Sequence, residues 1–246
     1  METIHIASGS KATIGEFVAN DWRTTEVFKR HGIDFCCGGK RTVAEACQKK
    51  GIDPKQVEAE LEEVARTGSS RQQNYNEWSL DFLVDYIVNN HHHYVKKATP
   101  FLDEISLKVA RVHGDQHPEL IEINHHVKEV IGELTMHMHK EEKVLFPYIK
   151  QLAEANSKGI KVAPPLFGTI ANPISMMESE HTAAGISFEA IESLSNQFTP
   201  PADACTSYRV LFTKLKEFQH DLYQHIHLEN NILFPKALAL EEELPL

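Results

Sequence analysis

The sequence has few of the features that mark secreted, membrane-spanning or nucleic-acid-binding proteins. It contains only four cysteines, two of them adjacent, which is not the disulfide framework of a secreted protein. No apolar run approaches the roughly 20 residues that cross a bilayer, and no basic and apolar leader opens the chain. Lysine and arginine total 25 against 35 acidic residues, a net charge of −10 that disfavours nucleic acids and anionic membranes as partners. We therefore expect a cytoplasmic protein.

Histidine, in contrast, is abundant and unevenly distributed. The 246-residue chain has 15 histidines, and 13 of them lie at or after His91. Packing alone gives little reason for so many imidazoles. Because 41% of the residues are hydrophobic, the chain can also bury a sizeable core. The sequence thus divides into a histidine-poor start and a histidine-rich remainder.

The pattern of caps and breakers predicts an all-α protein with a small N-terminal helical domain over residues 1–66. Thr13, Thr25 and Thr42 are placed as helix N-caps, and Thr42 forms a capping box with Glu45. Asp53 and the proline after it predict a further helix that ends near residue 66. The polar stretch that follows has no apolar period, so we predict a linker over 67–77.

The remainder, residues 78–246, is predicted to be an up-down four-helix bundle. Its helical patterns cover about 79–112, 118–153, 172–198 and 203–240. Asn172 and Pro173 predict the N-cap and first residue of the third helix. No strand-like alternation competes with these patterns.

An internal repeat carries the functional argument. The segment from His137 to Pro147 aligns without a gap on the segment from His225 to Pro235, at an offset of 88 residues. His, His, Glu, Leu, Phe and Pro recur at matched positions. His92 and His181, 89 residues apart, are then the natural pair on the other two helices. The bundle therefore reads as a duplicated helical hairpin.

Helical geometry gives this repeat a chemical meaning. Residues four apart share one helix face, so each repeat can aim a histidine and a glutamate at one point. A single such pair would more often be a surface ion pair, but two copies in register, each followed by Leu-Phe-Pro, favour a buried site. Imidazole and carboxylate ligands favour two non-haem iron ions, with manganese or zinc as alternatives. The predicted ligands are His92, His137, Glu141, His181, His225 and Glu229.

Neighbouring polar residues are assigned other roles. His139 and His227 are rotated by about 200° from their partners, so we expect surface or supporting positions. Glu142 is expected to be a solvated charge, because its repeat mate is an asparagine. Of the three consecutive histidines at 91–93, the helical stripe permits the first two, and the repeat offset weakly prefers His92.

The adjacent Cys36 and Cys37 lie in a glycine-rich turn and allow three interpretations. They could form a redox thiol pair, they could contact a metal or partner completed by another surface, or the turn could simply favour small residues. The residues themselves do not choose among these. Cys47 and Cys205 are expected to be buried or inert.

Taken together, these motifs resemble the iron–sulfur cluster repair di-iron proteins, the repair-of-iron-centres family. That family combines an N-terminal Asp-Phe/Tyr-Cys-Cys-Gly-Gly motif with a hemerythrin-like bundle. The resemblance is carried by Asp34-Phe35-Cys36-Cys37-Gly38-Gly39-Lys40, by His137…Glu141-Glu142…Leu145-Phe146-Pro147, by Met177-Glu178-Ser179-Glu180-His181, by Pro200-Pro201…Ala204-Cys205-Thr206 and by His225…Leu228-Glu229-Asn230-Asn231…Leu233-Phe234-Pro235. It covers nearly the whole chain.

The resemblance implies a di-iron centre, oxo- or hydroxo-bridged, held by the four histidines and two glutamates that the repeat selects. It implies protection or repair of iron–sulfur clusters damaged by nitrosative or oxidative stress, with damaged iron–sulfur proteins as clients. Nitric oxide or oxygen would be the small ligand, and nitric oxide could be reduced to nitrous oxide. Cys36 and Cys37 would be the catalytic thiols that reduce the site, receive iron or dock the client. A homodimer through the small domain is also compatible with the resemblance.

Other function classes remain open at this point. The bundle could be an oxygen or nitric oxide sensor without turnover, an iron donor, or a di-iron peroxidase. A haem bundle is disfavoured, because the repeated carboxylates would have no role in it.

Overall fold

The computed structural model describes residues 12–66 and 74–244, which form eight α-helices without a β-strand in these two ranges. The N-terminal unit contains the first four: α1 (Ile14–Asn20), α2 (Thr24–Arg30), α3 (Val43–Lys50) and α4 (Pro54–Arg66). The all-α prediction is confirmed. Residues 67–73 of the predicted linker lie outside the described residues, and the linker's last residues include a short 3₁₀ turn, Tyr75–Glu77.

Capping residues explain where these short helices begin. The Thr42 hydroxyl accepts from the Glu45 amide, and the Glu45 carboxylate accepts from the Thr42 amide, which confirms the predicted capping box at α3. The predicted N-cap at Thr25 is wrong. Arg23 is the N-cap, two residues before the predicted one, and the Thr25 hydroxyl instead donates to the carbonyl of Trp22 at 2.7 Å.

The bundle consists of four long helices, three of which contain a π-helical segment. Helix α5 comprises Leu80–Tyr86, the π-helical Ile87–His92, and His93–His113. Helix α6 comprises Glu119–Lys140, the π-helical Glu141–Leu145, and Phe146–Lys158. Helix α7 is Ala171–Leu194. Helix α8 comprises Thr206–Leu228, the π-helical Glu229–Leu233, and Phe234–Glu243.

The start of α7 differs from the prediction. Ile170, and not Asn172, is the N-cap, so Asn172 and Pro173 lie within the first turn. The cap is supplied from elsewhere in the fold, because the buried Glu241 carboxylate accepts from the Ile170 amide at 3.0 Å. Sequence-local reasoning has no access to this contact, which comes from the last helix.

Each bundle helix packs against its two neighbours in a closed ring, α5 to α6, α6 to α7, α7 to α8 and α8 to α5. The buried apolar side chains form two clusters, one at each end of the bundle. The N-terminal unit shares the first cluster, and its Phe35 packs edge-to-face against Tyr223 of α8. No described helix is both long enough and apolar enough to cross a membrane.

Candidate metal centre

The predicted ligands lie between the two apolar clusters, where three of the four bundle helices change their winding. A π-helical turn inserts one extra residue per turn and thereby re-aims the side chains around it. Pro147 and Pro235 follow two of these segments, and a proline cannot donate to the carbonyl four residues before it. The Leu-Phe-Pro repeat therefore loosens the helical ladder at the point where Glu141 and Glu229 turn inward.

The structure brings the six residues together as two overlapping groups. One contains His92, Glu141, His225 and Glu229, and the other contains His137, Glu141, His181 and Glu229. Within each group, one ligand atom per residue lies within 4.8 Å of the others. Both groups therefore share both carboxylates.

The individual distances show how the carboxylates span the two groups. Oε2 of Glu141 lies 3.3 Å from Nε2 of His92 and 3.3 Å from Nε2 of His137. The two oxygens of Glu229 divide between the groups, with Oε2 3.1 Å from Nε2 of His181 and Oε1 3.0 Å from Nε2 of His225. Each glutamate therefore lies within 3.3 Å of one histidine from each group.

Buried polar atoms without partners test whether these residues fit a metal. Both carboxylate oxygens of Glu141, Oε2 of Glu229 and Nε2 of His92 are buried and have no hydrogen-bond partner among the described residues. Burial of carboxylate oxygens without a hydrogen-bond donor is costly, and a divalent cation would offset that cost. Nitrogen and oxygen donors without a thiolate suit iron, manganese or zinc. The donor set therefore fits a two-metal centre.

Three of the four imidazoles are oriented by a partner on Nδ1. Glu142 Oε1 lies 2.8 Å from Nδ1 of His92, Glu180 Oε2 lies 2.9 Å from Nδ1 of His137, and Asn230 Oδ1 lies 2.8 Å from Nδ1 of His181. These oxygens accept, so each Nδ1 carries a proton, and each ring in its neutral form would present the lone pair of Nε2 to a bound cation. Lys96 and Lys140 in turn donate to Glu142 and Glu180.

The charges at the centre shift one another's proton affinity. Burial disfavours the charged form of His137, but Glu141 and Glu229 outweigh it and raise the pKa of this imidazole to about 9. Burial and Glu229 act to raise the pKa of Glu141, and the facing His137 reverses this, so that the pKa lies below its usual value. Burial lowers the pKa of His225. A divalent cation that binds at neutral pH would therefore displace a proton from the site.

Two sequence expectations for nearby residues are corrected here. Glu142 is half-buried and accepts from His92, because helix α5 brings that ring to it. Its repeat mate Asn230 does the same for His181, a correspondence that the 88-residue offset could have revealed. His227 is fully buried, since the N-terminal unit covers it with Trp22, whereas its mate His139 is exposed.

The second buried histidine of α5 is not part of either group. His91 lies parallel to His225, and its Nδ1 is 3.0 Å from Asp221 Oδ1. The π-helical segment Ile87–His92 turns both consecutive histidines inward. His92 is the one that reaches the carboxylates.

The dithiol turn packs against this centre from the N-terminal unit. Oδ1 of Asp34 accepts from the amides of Cys36 and Cys37, both at 3.0 Å, and the Cys36 thiol lies 3.2 Å from it. The two sulfur atoms are 3.9 Å apart, so both thiols are free. The hydrogen bond with Cys37, burial and the Asp34 charge raise the pKa of Cys36 well above its usual value.

Both cysteines line one cavity, and Cys37 is the more exposed of the two. Cys37 is half-buried and lines a cleft of about 530 Å³ between the N-terminal unit and helices α7 and α8, which Gly185, Glu189 and Tyr223 also line. Cys47 is buried, in line with the expectation that it is buried or inert. Cys205 is exposed at the start of α8, with its sulfur 3.1 Å from Nε2 of His113, so it is not buried, and its inertness stays a prediction.

Two domain families match the chain. Residues 10–65 match ScdA_N, a domain of unknown function (DUF542). Residues 83–237 match the hemerythrin HHE cation binding domain, which covers all six residues of the candidate centre. The cation-binding description agrees with the buried histidine and glutamate groups found here.

Several curated proteins resemble almost the full chain. An iron-sulfur cluster repair protein YtfE of Dickeya chrysanthemi (strain Ech1591) is 37% identical over 229 residues, which are 93% of this chain and 97% of the relative. Proteins of the same name from Yersinia pseudotuberculosis serotype O:1b (strain IP 31758) and Yersinia pestis (strain Pestoides F) are each 36% identical over 219 residues, 89% of this chain and 93% of the relative. Together with the domain matches, this similarity shows that the chain belongs to the YtfE family of iron–sulfur cluster repair proteins, as the sequence motifs indicated.

Proposed function

We propose that this protein repairs or protects iron–sulfur clusters under nitrosative or oxidative stress, through two non-haem iron ions at the six-residue centre. The observation that carries the proposal is the sharing of Glu141 and Glu229 between two histidine pairs. The relatives are named for cluster repair, and the matched bundle family is described as cation binding.

The proposed division of labour follows the two groups. His92 and His225 would hold one iron, His137 and His181 the other, and the two glutamates would bridge both. A di-iron pair supplies electrons and open coordination positions for nitric oxide, the proposed small ligand, which could be reduced there. The protein's own contribution is to fix the imidazole orientation through Nδ1 and to exclude water, since all six side chains are buried.

Iron donation is a second function that one observation favours. The Cys37 thiol borders an open cleft beside the bundle, and thiolates are ligands for iron in clusters. Cys36 and Cys37 would then receive iron or contact the damaged client. A test with labelled iron would separate the functions: transfer to an apo cluster protein supports donation, whereas conversion of nitric oxide to nitrous oxide supports reduction.

The test of the centre is the double variant Glu141→Gln, Glu229→Gln. We expect about two irons per chain in the wild type and at least a tenfold weaker iron affinity in the double variant, because neutral amides do not balance the cation charge. His139→Gln is the matched control. His139 is exposed and lies two residues before Glu141, so this variant should retain iron. Full iron loading of the double variant, with unchanged reaction toward nitric oxide, would rule out the bridging role.

A further inference from the structure

One asparagine connects the dithiol turn to the candidate centre. Asn230 lies immediately after Glu229 and is buried. Its Oδ1 is 2.8 Å from Nδ1 of His181, and its Nδ2 donates to the carbonyl oxygen of Cys36 at 3.3 Å. A single amide group therefore touches both a proposed iron ligand and the backbone of the first cysteine.

The chemistry of both partners fixes the orientation of this amide. If His181 presents Nε2 to a cation, its Nδ1 carries a proton and needs an acceptor. The Cys36 carbonyl can only accept, so it needs a donor. A side-chain amide offers one acceptor and one donor group, which a carboxylate cannot do.

The internal repeat provides a comparison within the same molecule. At the position equivalent to Asn230, the other half of the bundle has Glu142, which accepts from His92 and meets Lys96. Within the described part of the chain, the dithiol turn contacts the half that contains Asn230 and not this one. The change from glutamate to asparagine thus coincides with the additional need to donate to Cys36.

The neighbouring residue strengthens the contact without touching an iron ligand. Nδ2 of Asn231 lies 3.2 Å from the carbonyl oxygens of both Phe35 and Cys36. Asn231 also packs so closely on Gly39 that a Cβ atom there would lie 2.1 Å from its Oδ1. The turn is therefore seated on α8 by two adjacent amides, of which only the first continues to His181.

We propose that Asn230 couples the position of the dithiol turn to iron retention at the His137–His181 side of the centre. With the turn seated, the amide is held in place and orients His181. When a bulky group or a client displaces the turn, the amide loses its anchor and His181 loses its orientation. The inference rests on the proposed iron centre. In this proposal the seated turn favours retention of the iron on the His137–His181 side.

Thermodynamic linkage makes the coupling measurable from both ends. If displacement of the turn weakens iron binding by some factor, iron binding must hinder displacement of the turn by the same factor. This equality holds for the two equilibria. The direction of the first effect is followed by the rate of iron loss, and that of the second by the reactivity of the Cys37 thiol. Neither readout depends on activity toward nitric oxide.

The experiment uses the full-length protein with Cys205→Ser, loaded anaerobically with ferrous iron. Cys37 is alkylated with a bulky maleimide, and iron loss to a ferrous chelator is followed. We expect alkylation to speed the loss of about one iron per chain by about tenfold, within the usual range of coupling between sites. In the converse experiment, iron loading should slow alkylation of Cys37 in comparison with the iron-free protein.

The discriminating variant is Asn230→Asp, which keeps the acceptor for His181 and removes the donor to Cys36. We expect it to retain iron at least as well as the wild type and to lose the effect of Cys37 alkylation on iron loss. Asn231→Ala is the matched control: alkylation of Cys37 should become faster with and without iron, while the dependence on iron persists.

A further control is alkylation of Cys205 in a Cys37→Ser protein. Cys205 lies about 30 Å along α8 from His225 and should not affect iron loss. Unchanged iron loss after alkylation of wild-type Cys37, or coupling that survives in Asn230→Asp, would overturn the proposed coupling through Asn230. Neither result would contradict the proposed iron centre. If the wild type binds no iron at all, both proposals fail.

Discussion

The imidazole rings of His91 and His225 are stacked, with centroids 5.5 Å apart and ring planes inclined by 9°. Asp221, on the other side, accepts from Nδ1 of His91 at 3.0 Å. His91 thereby packs against a proposed ligand without belonging to either group of ligands. Two consecutive histidines of one helix therefore have different roles.

We predict that His92→Ala lowers iron content from about two to about one per chain, because one group loses a direct ligand. His91→Ala should retain two irons and lose them more readily, since it removes no proposed ligand but does remove the packing against His225 and the hydrogen bond to Asp221. Metal analysis after desalting distinguishes the two variants. Equal iron loss in both would contradict the assignment of His92 as the ligand.

The two adjacent thiols should differ in reactivity. At neutral pH we expect iodoacetamide to modify Cys37 first: both cysteines line the cleft, but Cys37 is half-buried, whereas Cys36 is only 5% exposed and has a raised pKa. Peptide mass spectrometry after short exposures measures the order. Preferential modification of Cys36 would show that the turn opens more readily than its contacts indicate.

The same raised pKa predicts a dependence of stability on pH. A group whose pKa is higher in the folded protein contributes stability below the unfolded thiol value of about 8.5 and loses it as the pH rises above that value. Cys36→Ser should therefore reduce the loss of stability between neutral and alkaline pH. Urea unfolding of both proteins on either side of that value provides the measurement, and parallel losses would refute the prediction.

Gly39→Ala should weaken the packing of the N-terminal unit against the bundle. Its Cβ would meet Asn231 Oδ1 at 2.1 Å, so the amide must swing away from the turn. We expect a loss of about 1–3 kcal/mol in the free energy of unfolding. The fluorescence of Trp22, which packs on His227, should shift to the red.

The matched control is Gly132→Ala, where a Cβ meets no heavy atom within 4 Å. Because Gly132 lies within a helix, this substitution should raise the free energy of unfolding of the protein by about 0.5–1 kcal/mol. An unshifted Trp22 spectrum in Gly39→Ala would mean that Asn231 is not needed to seat the turn.

Glu241→Ala should destabilise the bundle without changing its iron content. The buried carboxylate accepts from the Tyr148 hydroxyl at 2.9 Å, from Thr169 Oγ1 at 2.6 Å and from the Ile170 amide at 3.0 Å. Its removal leaves buried donors unpaired, at a cost of about 3 kcal/mol. Thermal unfolding should show this loss, and the exposed Glu242→Ala should not. A drop in iron content would instead link this end of the bundle to the centre.

The sequence by itself was sufficient for the all-α architecture and for bringing the six candidate ligands into one hypothesis. Helical spacing is a local property, so the His-x-x-x-Glu pairs at 137 and 225 follow from the chain directly. The capping box at Thr42 is equally local, because its two partners are three residues apart. The internal repeat then extended these local patterns to a predicted site with ligands from four helices.

Only the tertiary structure decided which groups support those ligands. Glu142 contacts a histidine 50 residues away, Glu180 one 43 residues away, and Asn230 one 49 residues away. Helical periodicity relates residues three or four apart, so it predicts none of these contacts. The π-helical segment of α5 likewise sets which of two consecutive histidines reaches the carboxylates. The seat of the dithiol turn on Asn230 joins residues 194 positions apart. Such contacts depend on how whole helices pack, because packing fixes distances that the order of residues along the chain does not contain.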